Sequence, residues 1–317
     1  MKLNIFIKLS LLLVFVAVVG WVTALKFPEK TIEIATWAER ARNGLSWKTL
    51  ELDGQQWFYL EGGNLDGETI LMLHGFGADK DSWTRFSGFL REYHVVAADL
   101  PGFGESAQLY DTSYTMAAQR ERVYDFVDAL DVDKFHLLGS SMGGQLAALY
   151  ADKYPEQVIS LGMISNGGVT SPKPSEMQIA LAQGKPIPLI VEAEDDFIPM
   201  LDFVTYKRPW IPLLYTRHLA HEAWLNSSFH KEIWSQLRGD KSAQLEQVLT
   251  RIERPTWVLW GREDRVLDIS SIEVMGPLLG NESIVIMDKT GHLPMVERPQ
   301  QAATLYLEFL DSHASKQ

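Results

Sequence analysis

The sequence predicts an α/β fold: a mostly parallel sheet with helices on both faces and an inserted helical cap. From Thr69 onward, short fully apolar runs of strand length alternate with segments of helical periodicity. Between 166 and 254 no comparable apolar run occurs, and that stretch is too long for a loop. The composition agrees, with 46% hydrophobic and 22% charged residues in 317, as in a globular chain with a substantial core.

Residues 9–25 (LSLLLVFVAVVGWVTAL) carry no charge and are nearly all apolar. As a helix they reach about 25 Å, close to the hydrocarbon thickness of a bilayer. Lys2 and Lys8 precede the run and Trp21 sits where an interfacial aromatic would anchor, so residues 1–26 read as a single-pass N-terminal anchor. The positive flank favours a cytoplasmic N-terminus and an extracytoplasmic body. The competing reading is a cleaved signal with Val22-Thr23-Ala24 at its end, which would leave a secreted protein.

Residues 27–45 form a linker with an amphipathic helix, in which Ile34, Trp37, Ala38 and Ala41 recur at helical spacing before the Asn43-Gly44 stop. Such a stripe lies on a bilayer or packs on the protein body, the second being the commoner outcome. WKTLEL and WFYLEG then flank Asp53-Gly54 as a hairpin. Strands follow at 69–74, 94–99, 135–139 and 158–165, with helices near Trp83 to Leu90, Thr115 to Leu130 and Met142 to Tyr154. After the cap come strands at 256–261 and 283–288, with helices near Ser270 to Leu279 and Gln300 to Phe309. The core is thus 46–165 with 255–317, and the cap is 166–254, rich in Pro, aromatic and large aliphatic residues.

Several chemistries are excluded or disfavoured. The chain has no cysteine, hence no disulfide, thiolate metal site or cysteine nucleophile. A formal net charge of −12 repels phosphate backbones, which argues against a nucleic-acid partner. His218 and His221 could mimic a metal pair, but no third ligand matches them, so neither a metal nor a cofactor is implied.

Gly139-Ser140-Ser141-Met142-Gly143 follows a strand and opens a helix, the context that makes G-x-S-x-G a nucleophile elbow. Small residues at 139 and 143 allow the sharp turn that presents Ser141. A serine needs a base, and the base needs a carboxylate to hold its tautomer. Of eight histidines, His292 lies just past the last strand, and Asp264 lies just past the strand before it. The order Ser141, Asp264, His292 puts all three at one sheet edge. Glu263 and Asp268 compete for the acid. Met142, after the nucleophile, supplies one oxyanion donor, and Phe76 in His74-Gly75-Phe76-Gly77 can supply the second.

With these residues placed, HGFGADKDSW (74–83), DLPGFGES (99–106), GSSMGG (139–144), WGREDRVLD (260–268) and TGHLPMVERP (290–299) resemble the α/β-hydrolase superfamily. With its apolar N-terminus the chain resembles the membrane-anchored monoacylglycerol lipase branch and related bacterial lipases. The resemblance spans about 45 to 312, specific at the five motifs and loose in the cap. It implies the same triad and the same oxyanion donors, acting on lipid esters such as acylglycerols. Serine at 141 departs from dehalogenases and epoxide hydrolases, which carry aspartate there. The alternatives are a carbon–carbon bond hydrolase of ring-fission products using the same triad, and a non-catalytic binding module, which would lack a triad member.

Overall fold

The structure, a computed structural model, describes residues 7–11, 20, 26–240, 244–279 and 284–314. The expected anchor therefore lies mostly outside the described residues. Among those described, no helix is long and apolar enough to cross a membrane.

The first helix, α1 (Pro28–Arg42), starts with proline in its first turn, where the missing N–H has no intrahelical partner to lose. It leads into the hairpin β1 (Leu45–Leu52) and β2 (Gln55–Gly63). Leu52 pairs with Gln55 across a turn in which Asp53 and Gly54 both have positive φ, 51° and 73°. That combination matches the right-handed twist of the flanking strands.

The core alternates as its apolar runs predict. In order come β3 (Thr69–Leu73), α2 (Thr84–Ser87), β4 (His94–Ala98), α3 (Met116–Ala129), β5 (Phe135–Ser140), α4 (Met142–Lys153) and β6 (Val158–Ile164). The insertion then contributes α5 (Glu176–Ala182), α6 (Phe197–Val204), α7 (Leu213–Leu225), α8 (Ser227–Gly239) and α9 (Glu246–Leu249). Among its described residues it contains no strand. The chain closes with β7 (Thr256–Gly261), α10 (Ser271–Leu279), β8 (Ile284–Met287), α11 (Pro294–Glu297) and α12 (Pro299–Ala314).

The sheet described has eight strands in the order β1-β2-β4-β3-β5-β6-β7-β8, antiparallel at β1, β2 and β4 and parallel from there on. Every residue of β3, β5 and β7 is buried, as expected of strands covered on both faces. Side chains alternate between two cores. Leu71, Leu73, Val96 and Leu137 pack with Val123 and Phe126 of α3 and Leu146 and Tyr150 of α4. Ile70, Met72, Val95 and Leu138 pack with Phe86 of α2 and Tyr306 and Leu310 of α12. One-residue alternation within a strand thus serves two helical layers.

Helix α1 departs from the commoner expectation for its stripe. Ile34, Trp37, Ala38 and Ala41 all face outward, with Ile34 63% and Trp37 68% exposed. The face turned to the body uses buried Ile32 and polar ties instead: Thr36 to Tyr215 of α7, Glu39 to Arg85, and Arg40 to Asp81. The helix thus meets the body through Ile32 and these polar ties, and the stripe faces away.

Candidate active site

Ser141 caps the N-terminus of α4 with φ 54° and ψ −115°, a conformation that costs an L-residue roughly 1–3 kcal/mol. The surroundings hold it there. Its N–H donates to the Ile164 carbonyl at 2.8 Å, and its own carbonyl accepts from Gln145 and Gly167 N–H, each at 3.1 Å. The flanking glycines are required sterically. A Cβ on Gly139 would lie 2.1 Å from the Gly143 carbonyl oxygen, and one on Gly143 would lie 2.3 Å from that of Leu73. The close strand–turn–helix packing admits only hydrogen at both positions.

Asp264 and His292 meet directly. His292 Nδ1 lies 2.8 Å from Asp264 Oδ2, and both residues are buried. The second oxygen, Oδ1, accepts from the N–H groups of Val266 at 2.8 Å and Leu267 at 3.0 Å. A carboxylate only accepts, so Nδ1 carries the proton and Nε2 is left with a free lone pair. The rival acids are engaged elsewhere. Glu263 Oε2 accepts from Thr290 N–H at 2.9 Å, and Asp268 Oδ1 from Ser270 N–H at 2.9 Å. Ser141 follows β5, Asp264 follows β7 and His292 follows β8, so the carboxyl edge of the sheet carries all three.

Gly75 brings the loop after β3 against the serine, since a Cβ there would lie 3.1 Å from Ser141 Cβ and 3.8 Å from its Oγ. Phe76 is the next residue. Its ring packs on Phe103, His230 and Trp234, the last two from α8. Met142 opens α4, where the first N–H groups have no partner within the helix. His74 braces this loop: Nε2 accepts from Leu100 N–H at 3.0 Å, so Nδ1 donates to the Gly75 carbonyl at 2.8 Å. Burial lowers its pKa to about 4, which keeps it neutral and unsuited to act as the base.

The insertion closes over this edge. Met177 and Val204 pack with Val266, joined by Leu189, Trp234 and Leu293, an apolar cluster built from both sides of the Asp264–His292 pair. His292 N–H donates to the Val204 carbonyl at 2.8 Å. Glu297 adds a tie that the sequence reading left without a role. Its Oε1 accepts from Gly291 N–H at 2.8 Å, and its Oε2 from Tyr206 N–H at 2.9 Å. Burial holds its pKa above the usual carboxylate range. The sequence signal for it was only its place in the TGHLPMVERP motif. His221 pairs with Glu194 at 2.8 Å, and among the described residues no group of three or more His, Asp or Glu side chains is placed to hold a metal ion.

The family described as alpha/beta hydrolase fold matches residues 68–299. Lipase 1 of Psychrobacter immobilis is 33% identical over 274 residues, covering 86% of each chain. Monoacylglycerol lipase ABHD6 of Mus musculus is 30% identical over 300 residues, covering 91% of this chain and 89% of that one. A solved structure of a membrane phospholipase A, a bacterial virulence factor, superposes with a TM-score of 0.88 at 46% identity, covering 98% of this chain and 99% of that one. By sequence match, sheet order and the elbow at Ser141, the chain belongs to the α/β hydrolase family.

Proposed function

We propose that this protein hydrolyses carboxylic esters of lipids, with Ser141 as nucleophile, His292 as base and Asp264 as the group that orients it. The observation that carries the reading is the Asp264–His292 contact at 2.8 Å, with the other carboxylate oxygen fixed by two backbone N–H groups. A carboxylate held at both oxygens is preorganised to keep Nδ1 protonated and to stabilise the imidazolium that forms during turnover. The lipase and phospholipase relatives support ester hydrolysis as the reaction class and lipids as the substrate class.

In the first half-reaction Ser141 Oγ attacks the acyl carbonyl carbon while His292 Nε2 takes the hydroxyl proton. The oxyanion lies against the N–H groups of Phe76 and Met142. His292 returns the proton to the departing alcohol, leaving an acyl-Ser141 ester. A water then gives its proton to His292 and its oxygen to the acyl carbon, and the fatty acid leaves as Ser141 recovers its proton. In this reading 46–165 and 255–317 form the catalytic core, and 166–254 is a cap whose Met177 and Val204 pack on Val266 and Leu293 of the core, an apolar surround for acyl carbons. Each methylene buried there contributes about 0.8 kcal/mol, favouring medium or long chains over acetate.

The same reading places the protein at a membrane, with residues 1–26 as anchor, the N-terminus cytoplasmic and the body on the other side. The outward stripe of α1 supports it, because Ile34 and Trp37 begin only nine residues past the apolar run and face away from the body. The primary test is Ser141→Ala, which removes one hydroxyl. Turnover of p-nitrophenyl esters should fall by several orders of magnitude with the fold intact, and a fluorophosphonate should label wild-type Ser141 alone. Near-normal turnover in the variant, or labelling elsewhere, would refute the mechanism.

A further inference from the structure

Beneath the oxyanion loop lies a cluster of charges that the mechanism does not use. Lys80 is buried, its Nζ 2.7 Å from Asp99 Oδ2 and 2.5 Å from Glu105 Oε2, while its backbone N–H donates to Asp99 Oδ1 at 2.7 Å. Asp79 accepts the N–H of Asp81 at 2.8 Å. Four carboxylates, Asp79, Asp81, Asp99 and Glu105, thus surround one lysine. The second cation comes from outside the core. Arg40 of α1 grips Asp81 with two nitrogens, at 2.7 and 2.5 Å, and stands 3.7 Å from Glu105. The pair is mostly buried, with 15% of the Arg40 side chain and 23% of that of Asp81 exposed.

Asp81 belongs to the 3-10 turn Lys80–Trp83, which grows directly out of the loop carrying Gly75 and Phe76. Ala78 N–H closes that loop on the Gly75 carbonyl at 3.2 Å, and Asp79 caps the turn. Asp81 and Phe76 are thus joined by one short hydrogen-bonded stretch of the loop. We propose that Arg40 is a positioning residue for the ester hydrolysis: by clamping Asp81 it offsets part of the charge of the acidic cluster and sets the oxyanion loop. This rests on the assignment of Ser141 and Phe76 above.

Removing Arg40 leaves Lys80 alone against four carboxylates in a mostly buried site. Such a site relaxes by moving the loop or by binding a proton. The groups facing it are Asp79, Lys80 and Asp81 on the loop, His74 before it, Asp99 and Glu105 after β4, and Tyr215 on α7. Burial and the neighbouring Asp81 and Asp99 raise the Asp79 pKa to about 6, so a proton is available there under mild acid.

The experiment compares Arg40→Ala, Arg40→Lys and the isosteric Asp81→Asn with Glu39→Ala, which breaks an exposed tie from the same helix to Arg85. With p-nitrophenyl butyrate at pH 8, Arg40→Ala and Asp81→Asn should lower kcat about tenfold or more with KM within twofold. Arg40→Lys should recover part of the loss, and Glu39→Ala should stay within twofold of wild type. The kcat ratio of wild type to Arg40→Ala should shrink at pH 6, since protonation relieves the acidic cluster. Equal kcat in Arg40→Ala and Glu39→Ala, or a change confined to KM, overturns the proposal. So does a ratio that does not depend on pH. If fluorophosphonate labels wild-type Ser141 while Arg40→Ala turns over normally, this inference fails alone. If Ser141 is not labelled, the catalytic assignment fails with it.

Discussion

Replacing Asp264 by asparagine changes one atom and should remove nearly all turnover. The amide has two orientations. With its oxygen at the Oδ1 position it keeps the bonds from Val266 and Leu267 N–H, and its NH2 faces His292 Nδ1. Flipped, it offers NH2 to two backbone donors and loses both bonds. At about 1 kcal/mol for each bond lost, with a further cost for facing buried donors, the first orientation wins by roughly 2–3 kcal/mol. An NH2 group against Nδ1 forces that nitrogen to accept, so the proton moves to Nε2, which then cannot take the proton of Ser141. A wrong tautomer in an otherwise intact triad lowers kcat by about 10⁴, or ~5.4 kcal/mol at 1.36 kcal/mol per tenfold. Asp268→Asn should be mild, because Asp268 spends its carboxylate on Ser270 N–H. The assay is steady-state hydrolysis of p-nitrophenyl butyrate, with circular dichroism to confirm that each variant folds. If Asp268→Asn proves the more damaging, or Asp264→Asn retains a tenth of wild-type kcat, the tautomer argument is wrong.

Two further outcomes follow from charge and from the N-terminus. Asp79 has its pKa raised to about 6 in the folded protein against 3.8 for an ordinary aspartate, so between those values the folded state binds the extra proton and stability falls as pH rises. Asp79→Asn should therefore stabilise the protein by roughly 2–3 kcal/mol at pH 7 and by much less at pH 4.5, read by urea unfolding at both pH values. His74 works in the opposite sense, since its pKa of about 4 makes stability fall as pH drops from 6.5, and Asp79→Asn should expose that acid slope more steeply. A chain beginning at Phe27 keeps α1 with its Arg40 clamp and lacks the apolar run. It should match the full chain on dispersed butyrate esters and lose efficiency on acylglycerols held in vesicles; equal loss on both substrates would contradict a tethering role.

The parallel sheet was legible because strands buried on both faces must be apolar throughout, as TILML and FHLLG are. The elbow was legible because its glycines answer a steric demand: a Cβ at 139 or 143 would collide with backbone. Asp264, Glu263 and Asp268 were not separable from spacing alone. The 2.8 Å contact of Asp264 Oδ2 with His292 Nδ1, its Oδ1 held by Val266 and Leu267 N–H, shows which carboxylate is aimed at His292. The orientation of α1 was not legible either. Periodicity locates an apolar stripe but cannot say which side of the helix meets the protein, and here the side with Ile32, Thr36, Glu39 and Arg40 does. Glu297 and Lys80 escaped notice for a related reason. Both are charged residues whose burial depends on partners distant in sequence, Tyr206 for one and Asp99 for the other.

The costly features of this chain lie along one edge of the sheet. Ser141 sits in a strained conformation, and the buried pair of Lys80 and Asp99, with half-buried Asp79 beside it, flanks the same loop that reaches it. Neither feature adds to the stability of the fold; a hydrophobic replacement of a buried ion pair is often neutral or better. On the proposed mechanism both instead fix the backbone N–H groups of the oxyanion site before a substrate arrives. An oxyanion gains most from donors that need not reorganise, so rigidity at Gly75 and Phe76 has a return that a better-packed loop would forgo. The aromatic contacts of Phe76 with His230 and Trp234 of α8 work in the same direction from the other side. The loop is thus held from below by charge and from above by ring packing, with the peptide that faces Ser141 between them.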